Sequence, residues 1–537
     1  MPQSRSIPFL ITVMALLAVF MTLAVLFGYI SVDSWYYMLL AQALRHGQGC
    51  SLHGEYLAVY PCGYPAVLAA TGFSTDPAAL MVTSKIANLL LLGGAFWFIW
   101  QASKQPFMAA LVALNPVTVT IALFTWSENL LLFCTCGVVF ALSRIYSGPR
   151  RKAPLILLAA FLIVGCFARY FFGPFALLLF GCAWLAYGRQ TAIRAFASFA
   201  AAGVVCVAYQ VFNLHITGFA TGMPRVDAPE APLLLLRQFA IALGTNGFGV
   251  VVTALLLTGI AFRQLSFGAP GIRGAEKNVT RQTSLFILAA GISFLALALI
   301  LRLRTLFDPY NTRTIGYGVV LTIAGLVGLF VHVRERGTPL NDAKGKDAFW
   351  SVAALCACAV FTLIYCDEGA LMQSITDAFD GYAFPAASLA VLKSPVPSPD
   401  VVVFFQLPVT GLETGDVDNI DEVYYGKDVT VLSPTLGPDN APETPAEFLR
   451  RIDEAGTRNC VFDFTPFATA QDFDAYLGGK TLIDHRLQGL TGPWQEVNRS
   501  NMAPAMQTYL KRIFQPKRRV PCQDILASAP SRSARAL

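Results

Sequence analysis

The chain has 537 residues, of which 55% are hydrophobic and only 13% are charged, and its formal net charge is +6. Soluble globular proteins carry about 25% charged residues, so this composition excludes an ordinary soluble protein. The basic residues lie in short loops between apolar runs, where they set membrane orientation, and the net charge therefore gives no support for nucleic-acid binding.

Apolar runs recur through the first two thirds of the chain, and a run of about 20 such residues crosses a bilayer as a helix. The first run is too long for a signal peptide and lacks a convincing cleavage site, so we expect it to be retained. The predicted fold class is an α-helical polytopic membrane protein. We expect about 11 transmembrane helices, near residues 7–30, 78–101, 106–124, 127–143, 153–168, 171–187, 195–213, 234–262, 283–301, 314–332 and 348–366.

The distribution of basic residues predicts the orientation. Four loops that are rich in arginine and lysine fall on the same side as the N-terminus, and such loops are typically cytoplasmic. We therefore predict a multi-pass protein of the inner (plasma) membrane with a cytoplasmic N-terminus. Residues 1–366 form the predicted membrane domain, with a first outer loop at 31–77, and residues 367–537 form an extracytoplasmic domain with a disordered C-terminal end.

The composition of this C-terminal segment favours a small α/β domain. SPDVVVFFQLP, KDVTVL and RNCVFDF are typical of buried strands, and TPAEFLRRIDEAG is typical of a helix. Thr444 followed three residues later by Glu447 predicts a capping box at the start of that helix.

Two pairs of cysteines lie outside the predicted spans. Cys50 and Cys62 lie in the first outer loop, and Cys460 and Cys522 lie in the C-terminal domain. Each pair could form a disulfide in an oxidising compartment, but the sequence alone leaves the pairing open. No pattern of cysteine and histidine suggests a metal site.

Charged side chains collect at the predicted outer ends of the spans. Asp33 follows the first span, in SVDSWYYMLLAQALRHGQG, and Glu128 begins the fourth. Each acid could be an ordinary helix-terminal residue, and each arginine could extend to lipid headgroups. Charges at membrane depth are costly, however, and they suggest a function or a partner. The outer arginines are Arg169, Arg302, Arg304 and Arg313.

The order of several short motifs resembles a known family. The motifs are D-S-W-Y-Y-M-L-L-A-Q-A-L from Asp33, Pro61-Cys-Gly-Tyr-Pro65, Asn115-Pro116 opening the third span, Ser127-Glu128 and Arg169-Tyr170. They resemble the GT-C glycosyltransferases, in particular the group with protein O-mannosyltransferases and lipid A aminoarabinose transferases. The chain departs from this group by lacking a second proline after Pro61 and by having Ser34 where many members have a second acid.

The resemblance implies an inverting transfer of a sugar from a polyprenyl-phosphate donor to a glycolipid, polysaccharide or protein acceptor among membrane lipids. This scheme requires no metal or other cofactor, although Asp33 with Glu128 could in principle hold a metal. Asp33 would be the base, or would position the acceptor, and Glu128 would orient a hydroxyl group. Paired guanidinium hydrogen bonds suit the donor phosphate, and interfacial aromatic rings could flank the sugar or lipid. The substrate-binding candidates are Arg169, Arg313, Arg304, Lys85, Trp35, Tyr36 and Tyr64.

Three other functions remain open at this stage. A transporter or flippase of lipid-linked saccharides predicts ionisable residues near the bilayer midplane and broken helices. A polysaccharide polymerase or ligase predicts a large late loop between spans. A scaffold without catalysis predicts that replacing Asp33 leaves function intact.

Overall fold

The computed structural model forms two compact units, Met1–Ser74 with Ala79–Phe384, and Pro385–Leu537 with Thr75–Ala78. It describes residues 6–27, 29, 31–52, 55–72, 77–148, 151–222, 231–265, 274–305, 310–334, 346–369, 371, 401–404, 430–432, 444–456, 460–463, 511 and 519–522. The predicted disordered C-terminal end lies outside these residues, as does the side chain of Trp35.

The first unit is built from helices, with one short hairpin. The helices are α1 (Ser6–Leu26), α2 (Val32–Arg45), α3 (Gly63–Thr71), α4 (Pro77–Ser103), α5 (Pro106–Ala113), α6 (Pro116–Leu123), α7 (Glu128–Ser147), α8 (Ala153–Ala168), α9 (Phe172–Tyr187), α10 (Arg189–Thr217), α11 (Pro232–Leu265), α12 (Gly274–Arg304), α13 (Thr312–Arg334) and α14 (Lys346–Tyr365), followed by a 3₁₀ helix at Cys366–Gly369.

The apolar runs of the sequence become these helices. Among the described residues, seven helices are long and apolar enough to cross a membrane, and α5 with α6 makes an eighth that bends by 46°. Three shorter apolar helices lie within α8, α9 and α14. Each predicted span coincides with one of these elements, and the chain is a multi-pass helical membrane protein, as predicted.

The third span is broken in its middle, at Asn115-Pro116. Proline has no backbone N–H and its ring clashes with the preceding turn, so it starts a helix more readily than it continues one. Asn115 caps α6, because its Oδ1 accepts from the Thr118 backbone N–H over 3.0 Å and its Nδ2 donates to the Leu111 carbonyl over 2.7 Å. The prediction that this pair opens the span was wrong: it divides the span into α5 and α6.

The helix α2 carries Asp33, and its cap is a different residue. Ser31 Oγ accepts from the Ser34 backbone N–H over 3.4 Å, and Ser34 Oγ accepts from the Ser31 N–H over 3.1 Å. These two serine hydroxyls therefore accept from backbone N–H groups at the start of α2 that have no partner within the helix. Asp33 is therefore not required as the helix cap, and its carboxylate is available for other contacts.

A disulfide closes the loop between α2 and α3. Cys50 pairs with Cys62, with 6.0 Å between their Cα atoms, and the loop contains a hairpin of β1 (Ser51–Leu52) and β2 (Glu55–Tyr56). The tyrosine at position 60 lies within this closed loop. The disulfide therefore limits where the loop places that side chain.

We expect reduction of the Cys50–Cys62 disulfide to lower the stability of this loop by about 3 kcal/mol, because it closes a short loop of the unfolded chain. Limited proteolysis of the Cys50→Ser/Cys62→Ser double variant in nanodiscs should show faster cleavage within residues 46–62. A Cys134→Ser variant, which removes a buried free thiol, is the matched control. Equal cleavage rates in the double variant and wild type would contradict the prediction.

The second unit contains a sheet of four strands within the described residues. They are β3 (Val401–Phe404), β4 (Thr430–Leu432), β5 (Cys460–Asp463) and β6 (Arg519–Pro521), in the order β4-β3-β5-β6. Strand β3 is parallel to β4 and β5, whereas β6 is antiparallel to β5. A helix, α15 (Pro445–Gly456), packs on β3 and β5.

The predicted details of this unit are present in the described residues. Glu447 accepts from the Thr444 N–H over 2.9 Å, and Thr444 Oγ1 accepts from the Glu447 N–H over 3.3 Å, which is the predicted capping box. Cys460 and Cys522 form the second disulfide, which joins β5 to the residue after β6.

Candidate active site

Two carboxylates and two guanidinium groups from four distant segments meet at one end of the helical bundle. Arg313, in the first turn of α13, contacts Asp33 Oδ2 through Nη1, and its Nε donates to Glu128 Oε1 over 2.6 Å. Arg169, between α8 and α9, places Nη2 at 2.9 Å from the same Glu128 oxygen. Arg313 thus bridges the two acids, and Glu128 holds both arginines.

The four side chains differ in exposure. The Glu128 side chain is 2% exposed, whereas those of Arg169, Arg313 and Asp33 are 18%, 17% and 21% exposed. A buried charge needs partners, and the two arginines provide them. Glu128 Oε2 is also buried and has no hydrogen-bond partner among the described residues. Burial makes Glu128 suited to positioning the arginines, while the other three groups remain accessible to a ligand.

Trp126 orients Arg313. Its Nε1 donates to Ser31 Oγ over 2.6 Å, and its ring lies 5.2 Å from the Arg313 Cζ. Phe124 stacks against the same ring, with 4.3 Å between centroids. A guanidinium over an aromatic face gains electrostatic attraction and loses side-chain freedom. The tryptophan therefore connects the start of α2, which carries Asp33, to the arginine that pairs with Asp33.

Tyr60 orients Asp33 from the disulfide-closed loop. Its hydroxyl donates to Asp33 Oδ1 over 2.9 Å, and its ring stacks on Tyr36 with 4.7 Å between centroids. Burial raises the pKa of Tyr60 well above its usual range, and the negative charge of Asp33 raises it further. Tyr60 therefore remains a protonated donor to the carboxylate at physiological pH. Tyr36 completes an aromatic pair beside Asp33.

Tyr37 links α2 to the residue before Glu128. Its hydroxyl lies 2.8 Å from Ser127 Oγ, and burial raises the pKa of Tyr37 to about 12. Ser127 makes no side-chain cap to α7. The Ser127 hydroxyl pairs with Tyr37 instead.

Tyr64 lies in the protein interior rather than on an open surface. Its side chain is fully buried, and its hydroxyl donates to Asn88 Oδ1 over 2.7 Å. Its ring meets the edge of Tyr37 with 5.3 Å between centroids. This geometry gives Tyr64 a structural role in supporting α2 and does not support a direct contact with substrate.

Lys85 and Asn88 of α4 hold the segment that leads into Glu128. Helix α6 ends at Leu123, and the last carbonyl groups of a helix have no partner within it. Asn88 Nδ2 donates to the carbonyls of Ala122 and Phe124, each over 2.9 Å. Lys85 Nζ donates to the Leu123 carbonyl, and also to the Tyr29 carbonyl over 2.9 Å.

Lys85 is buried within the protein. The side chain is 1% exposed, and its described contacts are with carbonyl and hydroxyl groups of the protein. Lys85 fixes the connection between α6 and α7, and this geometry does not support a role as a phosphate ligand.

We expect Lys85→Met to reduce stability by about 1–3 kcal/mol, because buried carbonyl groups lose their donor. The affinity for a polyprenyl phosphate, the donor class that the motif resemblance implies, should change less than threefold, because Lys85 Nζ is engaged by carbonyl groups of the protein. This bound is below the roughly tenfold effect of one hydrogen bond. Thermal unfolding and lipid binding in nanodiscs measure the two effects. A lost affinity with unchanged unfolding temperature would restore Lys85 as a ligand.

Arg304 is not part of the charged cluster. It is exposed in the last turn of α12, and no described contact joins it to Asp33 or Glu128. Its neighbour Arg302 is buried at 3% exposure. The structure thus brings together Asp33, Glu128, Arg169 and Arg313, and it leaves Arg304 separate.

Tyr60 and Trp126 are absent from the site predicted by sequence. Each directly precedes a recognised motif, Pro61-Cys-Gly-Tyr-Pro65 in one case and Ser127-Glu128 in the other. This position next to a motif was the feature of the sequence that could have identified them as site residues. In the described ranges, no three His, Cys, Asp or Glu side chains gather as a metal site would need. The absence of a cofactor stays a prediction.

Comparison with known proteins finds matches among solved structures. No protein-family model and no curated protein sequence matches the chain. The crystal structure of ArnT from Cupriavidus metallidurans bound to undecaprenyl phosphate is 11% identical, with 85% of this chain and 93% of that chain covered at a TM-score of 0.47. This likeness assigns no role to a side chain.

Proposed function

We propose that the chain is an integral membrane glycosyltransferase that moves a sugar from a polyprenyl-phosphate donor to an acceptor at the outer face of the membrane. One observation carries the proposal: two carboxylates and two guanidinium groups meet at one end of the bundle, with Arg313 bridging Asp33 and Glu128. Sugar transfer from a phosphate needs a base for the acceptor hydroxyl and positive charge for the leaving group. This cluster contains both.

Arg313 and Arg169 are the proposed phosphate ligands. A guanidinium matches phosphate geometry through paired hydrogen bonds. Both side chains are partly exposed, and buried Glu128 holds each of them by one oxygen. Glu128 is therefore proposed as a positioning residue. Arg304, exposed at the end of α12, is a further candidate for the lipid phosphate.

Asp33 is the proposed base. The acceptor oxygen attacks the anomeric carbon of the sugar, and its proton passes to the Asp33 carboxylate. The bond between the anomeric carbon and the phosphate oxygen breaks, and its electron pair leaves on the polyprenyl phosphate. The two guanidinium groups stabilise the added negative charge of that phosphate. A single displacement of this kind inverts the anomeric configuration.

The proposed setting follows from the basic loops and from the membrane-length helices. The N-terminus would be cytoplasmic and the C-terminal domain extracytoplasmic in the cell inner membrane. A donor that is anchored in the membrane then presents its phosphate at the level of the helix ends. The acceptor class, whether glycolipid, polysaccharide or protein, is left open by the proposal.

The test uses the full chain in nanodiscs with undecaprenyl phosphate, the lipid present in the ArnT crystal structure, carrying one of several radiolabelled sugars. We expect one donor to be consumed, by transfer to an added acceptor or by slow hydrolysis. Chemical analysis of the released product gives the anomeric configuration. If no donor is bound or consumed, the proposal fails, and transport of lipid-linked saccharides becomes the next assay.

A further inference from the structure

A cavity of about 310 Å³ lies beside the charged cluster. It is lined by residues of α6, α11, α13 and the end of α14, and Arg313 and Trp126 form part of its wall. Ligand pockets typically measure about 300–1,000 Å³, so this cavity is at the small end of the range. It suits a compact polar group better than a lipid chain.

Asn246 gives the cavity an unused hydrogen-bond acceptor. The side chain is 5% exposed, and its Nδ2 donates to the Ala242 carbonyl over 2.8 Å. Because a carbonyl can only accept, the amide NH₂ must face it, which identifies the other atom as Oδ1. Oδ1 has no partner within the described ranges. A polar atom of a cavity-lining residue that has no partner within the described ranges is a position for a ligand group.

Asn311 and Tyr365 add donor capacity to the wall. Asn311 Oδ1 is used in capping α13, where it accepts from the Thr314 N–H over 3.0 Å, and its Nδ2 remains available. The Tyr365 ring stacks on Phe361, with 5.5 Å between centroids, and its hydroxyl has no described partner. Together with Asn246, these groups offer both donors and acceptors to a polyhydroxy ligand.

Asp367 adds an acid to the same cavity on a strained backbone. Its φ is 50°, a conformation that costs energy for a residue with a side chain and is best tolerated by Asn and Asp. Its backbone N–H donates to Thr120 Oγ1 over 2.6 Å, which attaches the 3₁₀ helix Cys366–Gly369 to α6. Such strain is concentrated at ligand sites, where the surrounding structure enforces it.

The charges of the cavity favour an uncharged ring over a second phosphate. Arg313 contributes a positive charge and Asp367 a negative one, and the other described lining residues are neutral. An ordinary phosphate site would instead show an excess of donors and positive charge. Neutral amide and hydroxyl groups with one carboxylate match the hydroxyl groups of a sugar.

We infer that this cavity binds the sugar ring of the donor, while its phosphate meets Arg313 at the shared wall. This inference rests on the proposed function and extends it from the phosphate to the sugar. Asp367, Asn246, Asn311 and Tyr365 become the residues that determine which sugar is accepted. Position fits this assignment, because the group that contacts Asp33 also lines the cavity.

The test compares the affinities of two kinds of probe for the full chain in nanodiscs. One is bare undecaprenyl phosphate, and the other is undecaprenyl phosphate carrying glucose, mannose, arabinose or N-acetylglucosamine. The variants are Asp367→Asn, which keeps a residue that tolerates positive φ, and Asn246→Leu, which removes the free acceptor. We expect each substitution to lower the affinity for the preferred sugar-bearing probe by about tenfold, the effect of losing one hydrogen bond. Bare undecaprenyl phosphate should bind as it does to wild type.

Thr253→Val is the matched control. Thr253 is buried in α11, the helix of Asn246, and its hydroxyl likewise donates to a carbonyl of the preceding turn, that of Gly249, over 2.9 Å. It does not line the cavity. Both probes should bind this variant as they bind wild type, and thermal unfolding identifies any variant that is misfolded.

The outcomes separate this inference from the proposed function. A selective loss of the sugar-bearing probe supports the inference. Three results overturn it: unchanged affinity for that probe in both variants, an equal loss of affinity for both probes in a folded variant, or a wild type whose affinity no sugar increases. In each case wild type still binds the lipid phosphate, so the proposed function stands. A wild type that binds neither probe overturns the proposed function and the inference together.

Discussion

Asp33→Asn is expected to reduce donor consumption by about 10²–10⁴-fold, the usual contribution of a general base. Asparagine keeps the shape of the side chain and can still accept from Tyr60, which donates to Oδ1 over 2.9 Å. It cannot take up the acceptor proton. The binding of bare undecaprenyl phosphate should change much less, because the arginines remain. Single-turnover consumption of the preferred donor in nanodiscs measures the rate.

Two controls make this result specific. Asp453→Asn introduces the same chemical change in α15, in the other unit, and should leave the rate unchanged. Tyr60→Phe removes the hydrogen bond to Asp33 but keeps the carboxylate, so we expect only about a tenfold loss. If the Asp33→Asn variant consumes donor at the wild-type rate, Asp33 is not the base, and a scaffold role returns as the better hypothesis.

Arg313→Lys is expected to lower donor consumption by about 10²–10³-fold, the effect of losing a main electrostatic contact to the transition state. Arg313 uses Nη1 for Asp33 and Nε for Glu128. A lysine has a single nitrogen on a flexible stem, so it cannot reproduce this bridge or stack on Trp126 in the same way. The affinity for bare undecaprenyl phosphate should fall as well, because the same guanidinium is proposed to bind phosphate. Titration with that lipid and single-turnover rates measure both effects.

Arg169→Lys is the matched comparison for Arg313. Its Nη2 contacts Glu128 Oε1, and the variant should lose less activity because Arg313 still bridges the acids. The fold should survive either change, since buried Glu128 keeps one guanidinium partner in each variant. Equal and small losses in both variants would contradict the central role of Arg313.

The transport hypothesis keeps one feature in its favour. The broken span α5–α6, bent by 46°, is the kind of element that transporters use near the bilayer midplane. Lys85, however, lies in a membrane-length helix, and its Nζ is engaged by carbonyl groups at the end of α6. The Lys85 ammonium group therefore stabilises the end of α6, which accounts for a charged residue in this helix without a role in transport. Consumption of a donor by purified protein separates the two hypotheses directly.

The amino-acid sequence by itself determined the elements of this protein. Each membrane helix follows from a local run of apolar residues, and the capping box of Thr444 with Glu447 follows from residues three positions apart. Such features depend on neighbours in the chain, and local composition is enough to predict them. The motifs singled out Asp33, Glu128 and Arg169, and the position of charges at the predicted span ends singled out Arg313. Each of these residues lies next to a helix end.

Only the tertiary structure decided which of these residues act together. Asp33 and Arg313 are 280 positions apart (313 minus 33) and meet because α2 and α13 pack at the same end of the bundle. Sequence analysis named Lys85 and Tyr64 as substrate-binding candidates, and it did not show that packing buries them against α6 and α2. Burial and long-range contact depend on how helices pack, which the periodicity of one helix does not encode. Trp126 and Tyr60 gain their roles in the same way, through contacts that exist only once the helices have assembled.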